Sequence, residues 1–239
     1  MSAFELEAVV AGYGGRAVLH GVSLSIAANG SLAVVGPNGS GKSTLMKTAV
    51  GLVRPTSGRV LLEGGDVTRL DAPGRARRGL GYVPQEANVF RNMSVRENLK
   101  IGLEFVPGRV RASFAQRLSA MLELFPELEP KLGTLAGHLS GGQRQMVAMA
   151  AALMPAPSFL ALDEPSAGLS PRNAALLFEV IGRVARYGVT LLMIEQNTRL
   201  GLGAADEGLV LVSGEVKAKG PAAGLLDDPQ MRSLYLGSR

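Results

Sequence analysis

Short apolar runs separated by turns predict strands in the first third of the chain. Two such runs cover residues 4–10 and 18–26, and apolar positions alternate along the second one, as they do in a half-buried strand. Asn29-Gly30 is typical of a hairpin turn. Residues 31–35 form a compact apolar run that leads into a glycine-rich loop, and a helical pattern begins near Lys42. The order strand, loop, helix predicts a phosphate-binding βα unit.

The remaining pattern predicts an α/β chain with a helical insertion. Predicted strands cover residues 59–62, 79–83, 159–162 and 189–194, a hairpin follows at 209–212 and 216–218 around Ser213-Gly214, and predicted helices cover 94–103, 113–124, 141–153 and 171–186. We expect a single domain, residues 1–239. Its core lobe would comprise residues 1–85 and 156–239, and its helical subdomain residues 86–155, approximately.

Composition indicates a folded protein without a membrane span. Hydrophobic residues make up 46% of the 239 residues and charged ones only 19%, which excludes a disordered chain. The absence of cysteine excludes disulfides and thiolate metal sites and fits a reducing cytoplasm. The first ten residues show no secretory signal. Pro155 and Pro157 interrupt the most apolar stretch, residues 146–162, which therefore indicates buried core.

The net charge of +5 raises the possibility of nucleic-acid binding. The basic residues are scattered, however, and the densest cluster is only Arg75, Arg77 and Arg78, with no aromatic-rich strand or recognition helix beside it. A solvated basic surface, or one facing an anionic membrane, explains the charge better, so we expect no nucleic-acid partner.

One segment has the pattern of a phosphate-binding loop. Gly36-Pro37-Asn38-Gly39-Ser40-Gly41-Lys42-Ser43-Thr44 fits G-x-x-x-x-G-K-[ST], in which backbone N–H groups and a helix N-terminus cradle phosphates. We expect Lys42 to reach the β- and γ-phosphates of a nucleotide and the Ser43 hydroxyl to bind Mg²⁺. The alternative is a glycine-rich turn that matches by chance, but the match lies between a strand and a helix.

Two carboxylates follow a predicted core strand. The apolar run 159–162 ends in Asp163 and Glu164. Such a strand would deliver Asp163 to the Mg²⁺ shell and place Glu164 where it can orient or deprotonate an attacking water. The pair could also belong to a surface loop, and the phosphate loop upstream favours the catalytic interpretation.

A second anion site is predicted at Leu139-Ser140-Gly141-Gly142-Gln143. Ser140 can cap the helix that follows, and Gly141 and Gly142 leave backbone N–H groups exposed. On physical grounds alone, an ordinary serine-capped helix is an equal alternative.

Together these motifs resemble the ATP-binding subunits of ABC transporters over nearly the whole chain. The resemblance implies a P-loop NTPase core, with a RecA-like mixed sheet and an antiparallel β subdomain, and an inserted helical subdomain. It also implies that two chains sandwich two ATP molecules head to tail. Ser140, Gly142 and Gln143 would then act on the partner's nucleotide, whereas Lys42 and the two carboxylates act on the chain's own.

Further roles follow from the resemblance, one position at a time. Tyr13 would stack on adenine; otherwise it is a strand residue packed on the core. Gln85 would reach Mg²⁺ and water, and residues 86–90 would receive a short helix of a transmembrane permease subunit. Ser170 stands where most relatives carry an aspartate, so it cannot supply that carboxylate across the dimer. Gln196 replaces the usual switch histidine and, unlike histidine, cannot titrate.

The departure at Gln196 indicates a subfamily. Glu195-Gln196-Asn197, with Val83-Pro84-Gln85-Glu86 and Tyr235-Leu236-Gly237, is similar to the shorter of the two ATP-binding subunits of branched-chain amino-acid importers. Relatives serve urea or short-chain amide uptake. The resemblance implies a heterodimer with a different ATP-binding chain, permease subunits and an extracytoplasmic solute-binding protein, at the cytoplasmic face of the membrane.

Two other functions fit the same motifs. A lipid or lipopolysaccharide exporter ATPase shares the layout, but its relatives generally keep the switch histidine. A soluble ABC ATPase for cluster assembly or a ribosome-linked task is a second alternative, although ribosome-linked members typically carry two cassettes. His20 and His138 have no ligand-spaced companions, so we expect no metal beyond nucleotide-bound Mg²⁺.

Overall fold

The computed structural model describes residues 2–104 and 112–228 and forms two sheets. The strands, in chain order, are β1 (Ser2–Tyr13), β2 (Arg16–Ala27), β3 (Ser31–Val35), β4 (Ser57–Leu62), β5 (Gly65–Asp66), β6 (Leu80–Val83), β7 (Phe159–Asp163), β8 (Thr190–Ile194), β9 (Glu207–Val212) and β10 (Glu215–Pro221). The main sheet has the order β10-β9-β3-β8-β7-β6, and the smaller antiparallel sheet has the order β2-β1-β4-β5. The predicted α/β class, with a mixed sheet and an antiparallel β subdomain, is confirmed.

Eight α-helices connect the strands within the described residues. They are α1 (Lys42–Val50), α2 (Ala72–Arg77), α3 (Val95–Glu104), α4 (Phe114–Leu124), α5 (Gly141–Leu153), α6 (Pro171–Arg186), α7 (Thr198–Gly203) and α8 (Ala222–Asp227). Short 3₁₀ helices span Pro126–Lys131 and Ala136–His138. The pattern predicted the start of α1, and both ends of α3–α6, to within a residue or two. It missed α2, α7 and α8 because each has only six residues, too few to show a helical period.

The central strands of the main sheet, β3, β7 and β8, are buried on both faces. Ala33 and Val35 of β3 belong to a core cluster that also contains side chains of α3–α8. Leu32 and Val34 belong to a second cluster with α1 and the antiparallel sheet. Successive strand residues point to opposite faces, so the main sheet is the middle of three layers. Burial on both sides also explains why β3 is a continuous apolar run.

Two expectations about surface and turns were wrong. Asn29-Gly30 forms a turn but not a hairpin, because β2 and β3 lie in different sheets and the turn carries the chain between them. The β1–β2 hairpin turns at Gly14-Gly15 instead.

Arg75 does not belong to a solvated basic surface, since its side chain is fully buried.

The helical segment interrupts the main sheet between two neighbouring strands. β6 and β7 pair in parallel although residues 84–158 separate them, and this stretch holds α3–α5. The subdomain boundaries near residues 86 and 155 stay a prediction. Among the residues described, no helix has the length and apolarity to cross a membrane. Tyr235-Leu236-Gly237 lies outside the described residues.

Candidate active site

The phosphate loop runs from the end of β3 to the start of α1, as predicted. Gly36 has φ +154°, and a Cβ there would lie 2.0 Å from the Leu211 carbonyl oxygen of β9. Gly41 has φ +102° and begins α1 without a side-chain cap. Only glycine tolerates these conformations and contacts. The first N–H groups of α1 therefore remain available to an anion.

Two polar side chains inside the loop fit a phosphate. Lys42 is 6% exposed, and its ammonium donates to the carbonyl oxygens of Gly36 at 2.8 Å and Pro37 at 3.1 Å. Burial lowers the pKa of Lys42, and the Glu164 carboxylate opposes this shift. The buried Ser40 hydroxyl has no hydrogen-bond partner. A buried polar atom without a partner is uncommon, and a phosphate oxygen would satisfy this one.

The next two loop residues have opposite environments. Ser43 is exposed at the start of α1, whereas Thr44 is buried and its carbonyl accepts a hydrogen bond from Thr48 Oγ1 at 2.7 Å. The exposed Ser43 hydroxyl is free to reach a ligand in front of the loop. The Thr44 side chain is part of the core side of α1.

Asp163 is the last residue of β7 and is 8% exposed. Burial raises the pKa of Asp163, and a hydrogen bond from the Tyr82 hydroxyl to Oδ2 at 3.3 Å opposes this shift. Burial, together with the Asp163 charge, also raises the pKa of Tyr82, so its phenol keeps the proton it donates. Tyr82 was not predicted as a site residue, because the pairing of β6 with β7 is known only from the structure.

Glu164 and Gln85 meet at the same edge of the sheet. Gln85 Nε2 donates to Glu164 Oε2 at 3.1 Å. The Glu164 backbone has φ +45°, a strained conformation for a residue with a side chain. Its N–H donates to the Ile194 carbonyl at 2.9 Å, which holds the turn in place. Thus the structure brings together two predicted residues 79 positions apart.

Gln196 lies against the phosphate loop. Its side-chain Nε2 donates to Asn38 Oδ1 at 3.1 Å, joining residues 158 positions apart. Both side chains are exposed, so this contact faces the space in front of the loop. The neighbouring Glu195, for which the sequence predicted no role in the site, is buried and accepts hydrogen bonds from the loop after Glu164.

Tyr13 ends β1 beside the phosphate-loop helix. Its ring is 49% exposed, and the Lys47 ammonium of α1 lies 6.0 Å from the ring centroid. An exposed aromatic face next to the phosphate loop suits a nucleobase. Stacking of adenine on Tyr13 stays a prediction.

The segment 139–143 is a capped helix N-terminus set apart from the phosphate loop. Ser140 Oγ accepts from the Gln143 N–H at 3.3 Å, and Gln143 Oε1 accepts from the Ser140 N–H at 3.0 Å, which forms a capping box. Gly142 is buried, and a Cβ on Gly141 would lie 2.8 Å from Leu169 Cδ2. Among the hydrogen bonds of the described residues, none joins this segment to residues 36–44. Its action on a partner's nucleotide stays a prediction.

The geometry defines a class of protein. A glycine-dependent phosphate loop, a buried aspartate and a glutamate with a hydrogen-bonded glutamine share one edge of a mostly parallel sheet, which is the arrangement of a P-loop nucleoside-triphosphate hydrolase. The family model for ABC transporters matches residues 19–167. The chain belongs to the ABC transporter family and is an ATP-hydrolysing transporter subunit.

Individual relatives cover nearly the whole chain. The chain is 43% identical to a probable branched-chain amino acid transport ATP-binding protein LivF of Archaeoglobus fulgidus, over 95% of each chain. It is 38% identical to a lipopolysaccharide export system ATP-binding protein LptB of Acidithiobacillus ferridurans, over 95% of this chain and 93% of that one. A crystal structure of a nucleotide-free ATP-binding cassette from an ABC transporter is 30% identical and covers all of both chains, with a TM-score of 0.87.

Proposed function

We propose that this ATPase subunit powers import of branched-chain amino acids. The observation that carries the proposal is the place of Gln196 against the phosphate loop, where its side chain donates to Asn38. The resemblance leads us to expect a histidine at this place in the exporter alternative. The 43% identity to the LivF relative supports the same assignment. Importers of urea or short-chain amides remain close alternatives, because the ATPase subunit does not touch the transported solute.

ATP binding follows from the phosphate loop. Lys42 would exchange its contacts with the Gly36 and Pro37 carbonyls for the β- and γ-phosphates, and the unpaired Ser40 hydroxyl would donate to a phosphate oxygen. Both groups are therefore already in the loop that would receive the phosphates.

The residues around the carboxylates fit a magnesium ion. Ser43, Gln85 and Asp163 offer hydroxyl, amide and carboxylate oxygens, which are the ligands of this hard cation. When bound, Mg²⁺ neutralises charge on the transferring phosphoryl group. Burial raises the pKa of Asp163, and a bound cation would favour its charged form. The Tyr82 hydroxyl donates to Oδ2.

Glu164 is the proposed general base. Its carboxylate would accept a proton from water as the water oxygen attacks the γ-phosphorus in line with the departing β-phosphate oxygen. Gln85, which donates to Glu164 Oε2, would orient that water. Gln196 would hydrogen-bond the γ-phosphate from the opposite side, without the positive charge that a histidine can carry.

The proposed assembly is a head-to-tail pair with a different ATP-binding chain. Ser140, Gly141, Gly142 and Gln143 would complete the partner's site through the N-terminus of α5. Gln196 would make the two sites unequal.

A groove beside α5 is the proposed contact with the membrane subunits. Its volume is about 580 Å³, and its walls include residues 85–89 and 167–169. Permease subunits docked there would place the chain at the cytoplasmic face of the membrane, with a solute-binding protein on the other side.

The general-base role is tested with Glu164→Gln. We expect ATP affinity to be preserved and turnover to fall about a hundredfold or more, because the amide cannot accept the proton. Glu179→Gln, an exposed change on α6, is the control and should leave turnover unchanged. Normal turnover in Glu164→Gln would disprove the assigned role.

The cargo is tested with the assembled transporter. The chain is co-purified with its membrane partners, and ATPase activity is measured with leucine, isoleucine, valine, urea or a short-chain amide on the solute-binding protein. Stimulation by the branched-chain amino acids supports the proposal. Stimulation by urea or amides alone, or co-purification with a lipopolysaccharide-export or soluble assembly complex, would replace it.

A further inference from the structure

We infer that Glu195 is a positioning residue for ATP hydrolysis: it holds Gln196, and the loop that follows Glu164, in place against the phosphate-loop strand. The inference rests on the proposed contact of Gln196 with the γ-phosphate. It assigns no contact with substrate to Glu195, whose side chain is only 1% exposed.

The Glu195 carboxylate joins two loops at the catalytic edge of the sheet. Oε1 accepts from the Ser166 N–H at 2.9 Å, and Oε2 accepts from the Ser166 hydroxyl at 2.9 Å. Oε2 also accepts from the N–H groups of Gln196 at 3.1 Å and Asn197 at 3.4 Å. Ser166 follows Glu164 by two residues, so one carboxylate fixes the loops that carry the proposed base and the proposed γ-phosphate contact.

The backbone of Glu195 connects the two loops to a third part of the site, the strand β3. Its N–H donates to the Val34 carbonyl of β3 at 3.2 Å, two residues before the phosphate loop begins. Behind it, α7 approaches so closely that a Cβ on Gly201 would lie 2.9 Å from Glu195 Cβ. Glu195 is therefore enclosed, and its backbone is fixed relative to β3, the strand that ends in the phosphate loop.

Burial makes it unfavourable to keep the Glu195 carboxylate ionised in this position. Burial raises the pKa of Glu195, the hydrogen bonds from Ser166 and Asn197 oppose the shift, and the charge of Glu164 adds to it. Within residues 2–104 and 112–228, none of the ion pairs includes Glu195. A buried carboxylate that is stabilised only by hydrogen bonds requires all of its donors in place.

Glutamine cannot replace this carboxylate. Each oxygen faces at least one backbone N–H, from Ser166 on one side and Gln196 on the other. A hydroxyl can rotate to accept a hydrogen bond, but a backbone N–H cannot. In either amide orientation, Glu195→Gln would therefore set an NH₂ group against a backbone donor and displace one of the two loops.

The test measures kcat, KM and ATP affinity of Glu195→Gln in the assembled transporter. We expect kcat to fall about tenfold, as loss of a hydrogen bond to a charged group predicts, while KM and ATP affinity change less than about twofold, since residues 36–44 are intact. A merely structural role would lower the amount of folded protein and leave kcat per folded molecule unchanged. That result, or an unaltered kcat, would overturn the inference.

Asp206→Asn is the matched control. Asp206 Oδ2 accepts from both the N–H of Ser31 at 2.9 Å and its hydroxyl at 2.7 Å, the same two donor groups that Ser166 offers, but at the opposite end of β3. The variant should leave kcat unchanged, whatever its stability. An equal fall of kcat in both variants would contradict a specific role for Glu195.

A double variant separates this inference from the proposed function. If Glu195 acts by placing Gln196, Glu195→Gln should lower kcat much less in a Gln196→Ala background than alone. Fully additive losses would overturn the placement of Gln196 by Glu195 and leave the loop after Glu164 as the only part of the site that Glu195 positions. A Gln196→Ala variant with normal kcat would instead reject the proposed role of Gln196, whatever Glu195→Gln does.

Discussion

Arg75 is a single side chain that holds the C-terminal end of α1, the helix that follows the phosphate loop. It is fully buried, and NH1 donates to the carbonyl oxygens of Thr48 and Ala49, at 2.6 Å each, in the last turn of α1. Its Nε donates to the carbonyls of Val67 and Leu70 at 3.2 Å. Burial lowers the pKa of Arg75 to about 10. The guanidinium thus supplies donors to the carbonyls at the C-terminal end of α1, where the intrahelical donors run out.

We expect Arg75→Met to lower the free energy of unfolding by about 3 kcal/mol, because it leaves several buried carbonyls unpaired. Arg77→Met, an exposed change on the same helix, should stay within about 0.5 kcal/mol of the wild type. Urea unfolding of the three proteins measures the difference. Equal stability of the two variants would contradict the role of Arg75.

At the scale of elements, the direction of α5 is set by a close approach to α3. A Cβ on Gly102 would lie 2.3 Å from the Ala151 carbonyl oxygen, so the two helix backbones are nearly in contact there. Since Ser140 caps the N-terminus of α5, this contact helps to determine where the proposed trans-acting segment points.

Gly102→Ala should therefore destabilise the protein by about 1–3 kcal/mol, because backbone atoms cannot give way as a side chain can. Gly182→Ala in the middle of α6 is the matched control: its Cβ would meet only Arg186 NH1 at 3.6 Å, and it should stabilise the helix by up to about 1 kcal/mol. Thermal unfolding distinguishes them. A stabilising Gly102→Ala would show that α3 and α5 can separate freely.

At the scale of the whole molecule, nucleotide binding should raise the free energy of unfolding. The phosphate loop joins β3 in the middle layer to α1 in the outer one, so a ligand there is bound only by the folded chain. This layout couples the site to the global fold.

A non-hydrolysable ATP analogue at a hundred times its Kd should raise the free energy of unfolding by about 2.7 kcal/mol. Lys42→Ala should lose most of this gain at the same concentration, whereas Lys100→Ala, whose side chain is 62% exposed, should retain it. The measurement is the thermal midpoint with and without the analogue. Full stabilisation of Lys42→Ala would exclude Lys42 from the phosphate site.

The sequence predicted the features that are specified by residues close together in the chain. The phosphate loop, the carboxylates after β7 and the serine-capped α5 are each contiguous stretches of sequence. The order of strands and long helices was also predicted, because burial imposes a period of two or 3.6 on the chain. The short α2 and α7, and the change of sheet at Asn29-Gly30, left no such period.

Only the tertiary structure decided which distant residues meet. Gln85 reaches Glu164 across 79 positions, Gln196 reaches Asn38 across 158, and Glu195 reaches Ser166 across 29. Nothing local specifies these pairs, since they arise where parallel strands end at one edge of a sheet. The sequence therefore determined the phosphate loop and its chemistry. The packing of β3, β7 and β8 determined the residues that surround it.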